Sequence, residues 1–261
     1  MATRRAALLA AAVALLTPAA CGDGVRGSSR ELLPDLDQVA PRAISIERRD
    51  ARELLVFLSA VENVGAGPLV VSGTRPSQQQ ADMTAHQLVR RVDGSAATYP
   101  LRSHLRFVVA ETHRHWHLLG FERYELRAPD GKPVGGDHKT GFCLGDRYDA
   151  RASLRLPGEP ALPVWTQECG RGQPNRLRIS EGLSPGFGDD YVPVLEGQYI
   201  DVTGLPAGRY VLIHRANPGR HLRESSYANN AASALVELRR GADERASVSV
   251  LASCPATPRC P

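Results

Sequence analysis

The chain has 261 residues, 42% of them hydrophobic, with 32 Lys and Arg against 28 Asp and Glu. That much apolar material supports one substantial core. A formal charge of only +4 and an aromatic content of 5% argue against a nucleic-acid partner, which requires a concentrated basic face or stacking platforms.

The elements follow in chain order. MATRR carries two arginines, AALLAAAVALL is apolar and TPAAC ends in small residues, the three-part grammar of a secretory signal over 1–20. Cys21 follows Ala19 and Ala20 and precedes Gly22, resembling a bacterial lipoprotein cleavage box. The expectation is an extracellular protein held at the cell membrane by a lipid on Cys21, with free secretion as the alternative. Loss of Arg4 and Arg5 with the signal leaves 30 basic against 28 acidic residues. Residues 21–33 read as a flexible tether, and 34–261 as the folded domain. No run of 18 or more apolar residues follows the first two dozen positions, so no internal membrane span is expected.

From Pro34 onward the signals are for strands. RELLVFLSAVENVGAGPLVVSG reads as a strand, a turn around Asn63 to Pro68, and a second strand. ATYPLR, HLRFVVAE, HWHLLGFERYELR, QYIDVTGLPAGRYVLIHRAN, SSYANNAASALVELRR and ASVSVLAS continue the pattern. Turn residues punctuate the runs at Pro129 to Lys132, Leu205 to Gly208 and Asn217 to Gly219. A short helix near 80–91 is the one helical candidate. The fold class is therefore mainly β, a β-sandwich-like single domain. The stretch from Lys139 to Tyr191 is different, rich in Gly, Pro, Arg and Asp and poor in period. Long irregular segments of this kind are functional or disordered. With Cys21 acylated, four cysteines remain. In an exported protein they pair, Cys143 with Cys169 and Cys254 with Cys260, the alternative being free buried thiols.

His113, His115 and His117 alternate in ETHRHWH. On a strand they share one face, with successive side chains about 7 Å apart, so a bend or bulge would be needed to converge them on one ion. Neutral imidazoles suit Zn, Cu, Fe or Ni. Three nitrogens with an open position fit catalytic zinc as well as copper, and the motif does not separate the two.

Together with HRHWH, the segments GDHKTGFCLGD (136–146), EGLSPGFGDDYVPVLEGQYIDVTGLPAGRYVL (181–212) and NPGRHLRESSYANN (217–230) resemble, in order, the catalytic domain of the lysyl oxidase family. LPDL and LLVFLSAVENVGAGPL resemble its opening. The resemblance covers about 200 residues and implies the domain's cofactors and site. The copper ligands fall on His113, His115 and His117. The lysine and tyrosine that join to form lysine tyrosylquinone fall on Lys139 and Tyr191, separated by 52 positions with an apparent insertion around 150–175. The implied reaction is oxidative deamination of a primary amine or a lysine-containing peptide to an aldehyde, releasing hydrogen peroxide and ammonia. Asp146, Asp189 and Asp190 are the candidates for the proton-abstracting base, and His138 for a partner beside Lys139. Tyr227, Asn229 and Asn230 read as structural. The alternatives are a non-enzymatic extracellular copper-binding protein and a zinc hydrolase using the same histidines.

Overall fold

The computed structural model describes residues 30–261 apart from 111–112, 137–138, 140, 151–154 and 196. The signal, Cys21, most of the tether and His138 lie outside the described residues. Seventeen strands follow in chain order: β1 (Glu31–Leu32), β2 (Leu36–Gln38), β3 (Arg42–Arg49), β4 (Arg52–Asn63), β5 (Leu69–Thr74), β6 (Asp82–Arg91), β7 (Ala96–Val109), β8 (Arg114–Leu118) and β9 (Glu122–Arg127). Then come β10 (Pro133–Gly136), β11 (Tyr148–Asp149), β12 (Arg178–Leu183), β13 (Phe187–Tyr191), β14 (Tyr199–Asp201), β15 (Gly208–Ala216), β16 (Ala231–Arg240) and β17 (Ala246–Cys254). No helix occurs among the described residues. The mainly β expectation holds.

The strands form three antiparallel sheets. One runs β12-β5-β6-β7-β8, with β1 on β6; a second runs β10-β9-β15-β16-β17; the third runs β11-β13-β4-β14, with β2 and β3 also on β4. β4 is the spine of the third sheet because it is long and almost wholly apolar on both faces, Leu54 to Leu58 being buried or half-buried without alternation. That is the signature of a strand covered on both sides. One hydrophobic core joins all three sheets through Phe57 and Val61 of β4, Met83 and Leu105 of β6 and β7, Trp116 of β8, and Tyr124, Leu212 and Val236 of the second sheet.

The structure corrects three details of the sequence reading. Residues 82–91 form β6, not a helix; Met83, Ala85, Gln87 and Val89 alternate inward, and pairing between β5 and β7 overrides their helix propensity. ATYPLR and HLRFVV are not in separate strands but in one, β7. Pro100 pairs with His86 beside a register shift between Thr84 and His86, where a missing N–H is tolerated. The irregular stretch 139–191 contains β12, which extends the first sheet alongside β5, and β13, which pairs with the far half of β4.

Both expected disulfides are present, Cys143–Cys169 and Cys254–Cys260. The corner after β15 is closed as its residue types suggested. Tyr227 Oη donates to Leu222 C=O at 3.0 Å, and Asn229 donates to Asp35 at 2.8 Å. Glu224, buried at that corner, accepts from Leu36 N–H, Asn217 and Asn230, fastening it to β2.

Candidate active site

The site begins at the edge of the first sheet. β8 pairs with β7 from Val109↔Arg114 to Leu105↔Leu118 without a register shift, and His113 lies just before the strand. The expected bulge is absent, yet the three rings converge: centroid separations are 4.6 Å for His113–His115, 4.7 Å for His115–His117 and 5.1 Å for His113–His117. Side-chain tilt, with His113 freed from the pleat, replaces backbone distortion. One nitrogen from each ring lies within 4.8 Å of the others.

The other edge of β8 is not left open. Leu118 exchanges both backbone hydrogen bonds with Phe142, and Trp116 N–H and Arg114 C=O bond to Cys169 C=O and Gly172 N–H. The Cys143–Cys169 bridge ties these two covering segments together. Trp116 points away from the histidines, fully buried, with Arg75 stacked 4.7 Å from its ring and Phe107 against its edge. Arg75 in turn donates to the carbonyls of Gln80 and Arg176, clamping the insertion.

Lys139 and Tyr191 meet beside the histidines. Lys139 Nζ is 5.0 Å from the centre of the Tyr191 ring and 5.1 Å from that of Phe142. Gly197 permits this approach: its φ is +75°, and a Cβ there would stand 2.9 Å from Lys139 Cα. Phe142 packs edge-on to Tyr191 at 4.8 Å. Tyr191 Oη lies 2.5 Å from Asp189 Oδ2 and 3.2 Å from Cys143 C=O. Lys139, Tyr191 and the three histidines line one cavity of about 220 Å³, with Asp189 and Asp190 on its wall. The exposed side chains of Arg147, Glu168 and Arg171 frame its mouth.

Burial sets the protonation states. His115 is held down to about 3 and His117 to about 2, first by loss of solvent and then by neighbouring imidazoles and cations. Both are neutral, with lone pairs available, and His117 Nδ1 is enclosed without a hydrogen-bond partner. Asp189 is fully enclosed, which pushes its carboxyl up to about 7 despite the Tyr191 hydrogen bond and Arg147. The Tyr191 phenol is raised well above its ordinary value by burial and by Asp189. Glu122 behind the cavity is likewise raised to about 7 by burial, and it accepts hydrogen bonds from Ser59 and Tyr124.

Asp146 stands apart from the other two aspartates. It does not line the cavity; its oxygens accept the backbone amides of Val164, Trp165 and Ser184, pinning the insertion to the end of β12. The sequence reading missed Arg147, Glu168 and Arg171 at the mouth, because charged residues in an aperiodic segment carry no positional signal. Phe142 stood in the quoted motif, but its ring contacts required the fold.

Residues 166–247 match the sequence model of the lysyl oxidase family. Lysyl oxidase homolog 1 of Homo sapiens is 30% identical over 142 residues, which cover 52% of this chain and 21% of that protein. Over these stretches the chain is similar to the lysyl oxidase family. Protein-lysine 6-oxidase of Rattus norvegicus is 29% identical over 142 residues, 52% of this chain and 30% of that one. For Lysyl oxidase homolog 3A of Danio rerio the figures are 29% over 143 residues, 53% and 17%. The chain thus matches less than a third of the length of these lysyl oxidase relatives. The stretch matched by the family model contains Cys169, Asp189, Asp190 and Tyr191 and stops short of Lys139 and the three histidines.

Proposed function

We propose that this lysyl oxidase relative is an exported copper amine oxidase that converts primary amines, lysine side chains of peptides among them, to aldehydes with release of ammonia and hydrogen peroxide. The observation that carries the reading is one juxtaposition. Lys139 Nζ lies 5.0 Å from the Tyr191 ring, in a cavity also lined by three imidazoles.

The residues fit the implied groups. His113, His115 and His117 would hold the metal: His115 and His117 are neutral through burial, and the unpartnered Nδ1 of His117 is what a missing ligand bond leaves behind. The donor set suits copper or zinc. The neighbouring Lys139 and Tyr191 favour copper, because zinc has no redox chemistry with which to modify a phenol. Copper would supply the oxidising chemistry for modifying Tyr191, and lysine tyrosylquinone, built from Tyr191 and Lys139, would supply the electron sink for amine oxidation.

The chain's own residues provide the setting. The rings of Phe142 and Tyr191 hold the Lys139 amine in place, and a cation at the histidines would push it towards the neutral, nucleophilic form. Asp189 and Asp190 stand in the cavity wall as proton acceptors. Export is supported by the two disulfides, which persist in an oxidising compartment. The lipid anchor at Cys21 belongs to the same proposal.

The test is peptide mapping by mass spectrometry after loading purified protein with copper and oxygen. The expected result is a linked Lys139–Tyr191 peptide, with peroxide release in a screen of primary amines that vanishes in Tyr191→Phe. Separate Lys139 and Tyr191 peptides after loading would overturn the cofactor assignment.

A further inference from the structure

Asp189 and Tyr191 are two residues apart on β13, so their side chains leave the strand on the same face. Pairing with β4, Asp189 against Val61 and Tyr191 against Ser59, fixes both. Asp189 Oδ2 lies 2.5 Å from the phenol oxygen and also accepts Gly145 N–H at 3.2 Å. Its Oδ1 makes no hydrogen bond but faces Arg147 Nε at 3.5 Å, a cation that lets an enclosed carboxyl carry charge. The phenol's only other hydrogen-bond neighbour among the described residues is Cys143 C=O, a pure acceptor. Two arrangements of protons satisfy this geometry. With Asp189 ionised, the phenol donates to it. With Asp189 protonated, the carboxyl donates to the phenol oxygen, and the phenol turns its own proton to Cys143 C=O.

We propose that Asp189 is the positioning residue of the Tyr191 phenol, orienting its ring for oxidation and accepting its proton at Oδ2. The inference rests on the reading of Lys139 and Tyr191 as cofactor precursors. The step balances without a further reagent: the Oη–H bond breaks, the Oδ2–H bond forms, and the negative charge passes from carboxylate to phenolate. A phenol gives up an electron far more readily once its proton has gone, and a cation at the neighbouring histidines favours the phenolate. The other carboxyls are differently engaged. Glu122 is committed to Ser59 and Tyr124, and Asp146 to three backbone amides. The raised carboxyl of Asp189, near 7, places its gain and loss of a proton in the working range.

The experiment compares wild type, Asp189→Asn and Asp189→Glu. Each is checked for folding by circular dichroism and for copper per chain by metal analysis. Each is then loaded with copper and oxygen at several pH values and sampled for the linked Lys139–Tyr191 peptide. The expected result is wild-type linking that speeds up as pH rises through about 7. Asp189→Asn should bind copper as wild type does, link at least tenfold more slowly and lose the pH rise; Asp189→Glu should restore part of the rate. Linking in Asp189→Asn at the wild-type rate with an unchanged profile overturns the inference and leaves the cofactor reading standing. A wild type that binds copper and never links overturns that reading and this inference with it. Should Asp189→Asn fail to fold, the comparison of wild type with Asp189→Glu decides, and superimposable pH profiles overturn the inference.

Discussion

Glu181 lies beside the Cys143–Cys169 bridge with its side chain fully enclosed; the Leu144 and Leu118 amides face its carboxyl without closing a hydrogen bond of ordinary geometry. The nearby Leu118 amide is already given to Phe142 C=O. Burial, with Asp189 adding to it, raises Glu181 well above its ordinary 4.5, so the folded protein holds this acid protonated. The unfolded chain releases that proton above about 4.5. Folding must take it back, and the penalty grows by about 1.4 kcal/mol per pH unit. Glu181→Gln keeps the shape and removes the penalty. The thermal midpoint of the variant at pH 8 should exceed that of wild type, and the gain should shrink towards pH 5. An equal or lower midpoint at pH 8 would show that Glu181 finds a partner or a charge-stabilising contact in solution. A single glutamate between Ser180 and Gly182 gives no sign of this in the sequence. Its face of β12 is settled only by the pairing with β5.

At the scale of elements, the site is a strand edge sealed by two loops. β8 and the residue before it supply the histidines; Phe142, Cys169 and Gly172 bond to the backbone of β8, and the segments around them carry Lys139, Arg147, Glu168 and Arg171. The Cys143–Cys169 bridge closes a separation of 26 residues, whereas Cys254–Cys260 closes only 6 at the chain's end. In the loop-closure account the first contributes about 3.5 kcal/mol and the second about 2. Replacing both Cys143 and Cys169 by Ala should therefore lower the urea-unfolding free energy more than the same change at Cys254 and Cys260. It should also weaken copper retention, since only the first bridge braces the histidine strand. Equal losses in both measurements would count against that bracing role. The pairings were legible from cysteine number and an exported setting. The sealing of β8 was not, because it depends on backbone groups that every sequence possesses.

Across the whole molecule, buried titratable groups pull in opposite directions. Glu122, Asp189 and Glu224 are raised to about 7 and Glu181 further, chiefly by burial. His115 and His214 are lowered to about 3 and His117 to about 2, again by burial. For the acids, the folded state binds more protons than the unfolded one from about pH 4.5 upward, so stability falls as pH rises. For the histidines, the unfolded state binds more protons below about 6.5, so stability rises with pH up to that point. The two slopes oppose each other between about 4.5 and 6.5, and above 6.5 only the acids act. These four acids outweigh the three histidines over most of that window, so the thermal midpoint of metal-free protein should be greatest near pH 5 and decline towards pH 8, as followed by calorimetry. A midpoint that climbs steadily through pH 8 would contradict the burial of these carboxyls in their neutral form.

The sequence alone determined the kind of fold and the inventory of chemistry. Period-two runs and turn residues make strands because side chains alternate across a pleat. The spacing of His113, His115 and His117 puts three imidazoles on one face, and the motifs around Lys139 and Tyr191 carried the family resemblance. Tertiary structure decided what depends on distance between remote segments. It brought Lys139 to within 5.0 Å of a ring 52 positions away, turned residues 82–91 into a central strand, and converged the histidines by side-chain tilt without a bulge. It also separated three similar aspartates: Asp146 caps backbone amides, Asp190 stands in the cavity wall, and Asp189 grips the phenol. The physical reason is the same in each case. Local pattern fixes which way a side chain leaves its strand, whereas burial, proton affinity and partner are properties of what packs against it.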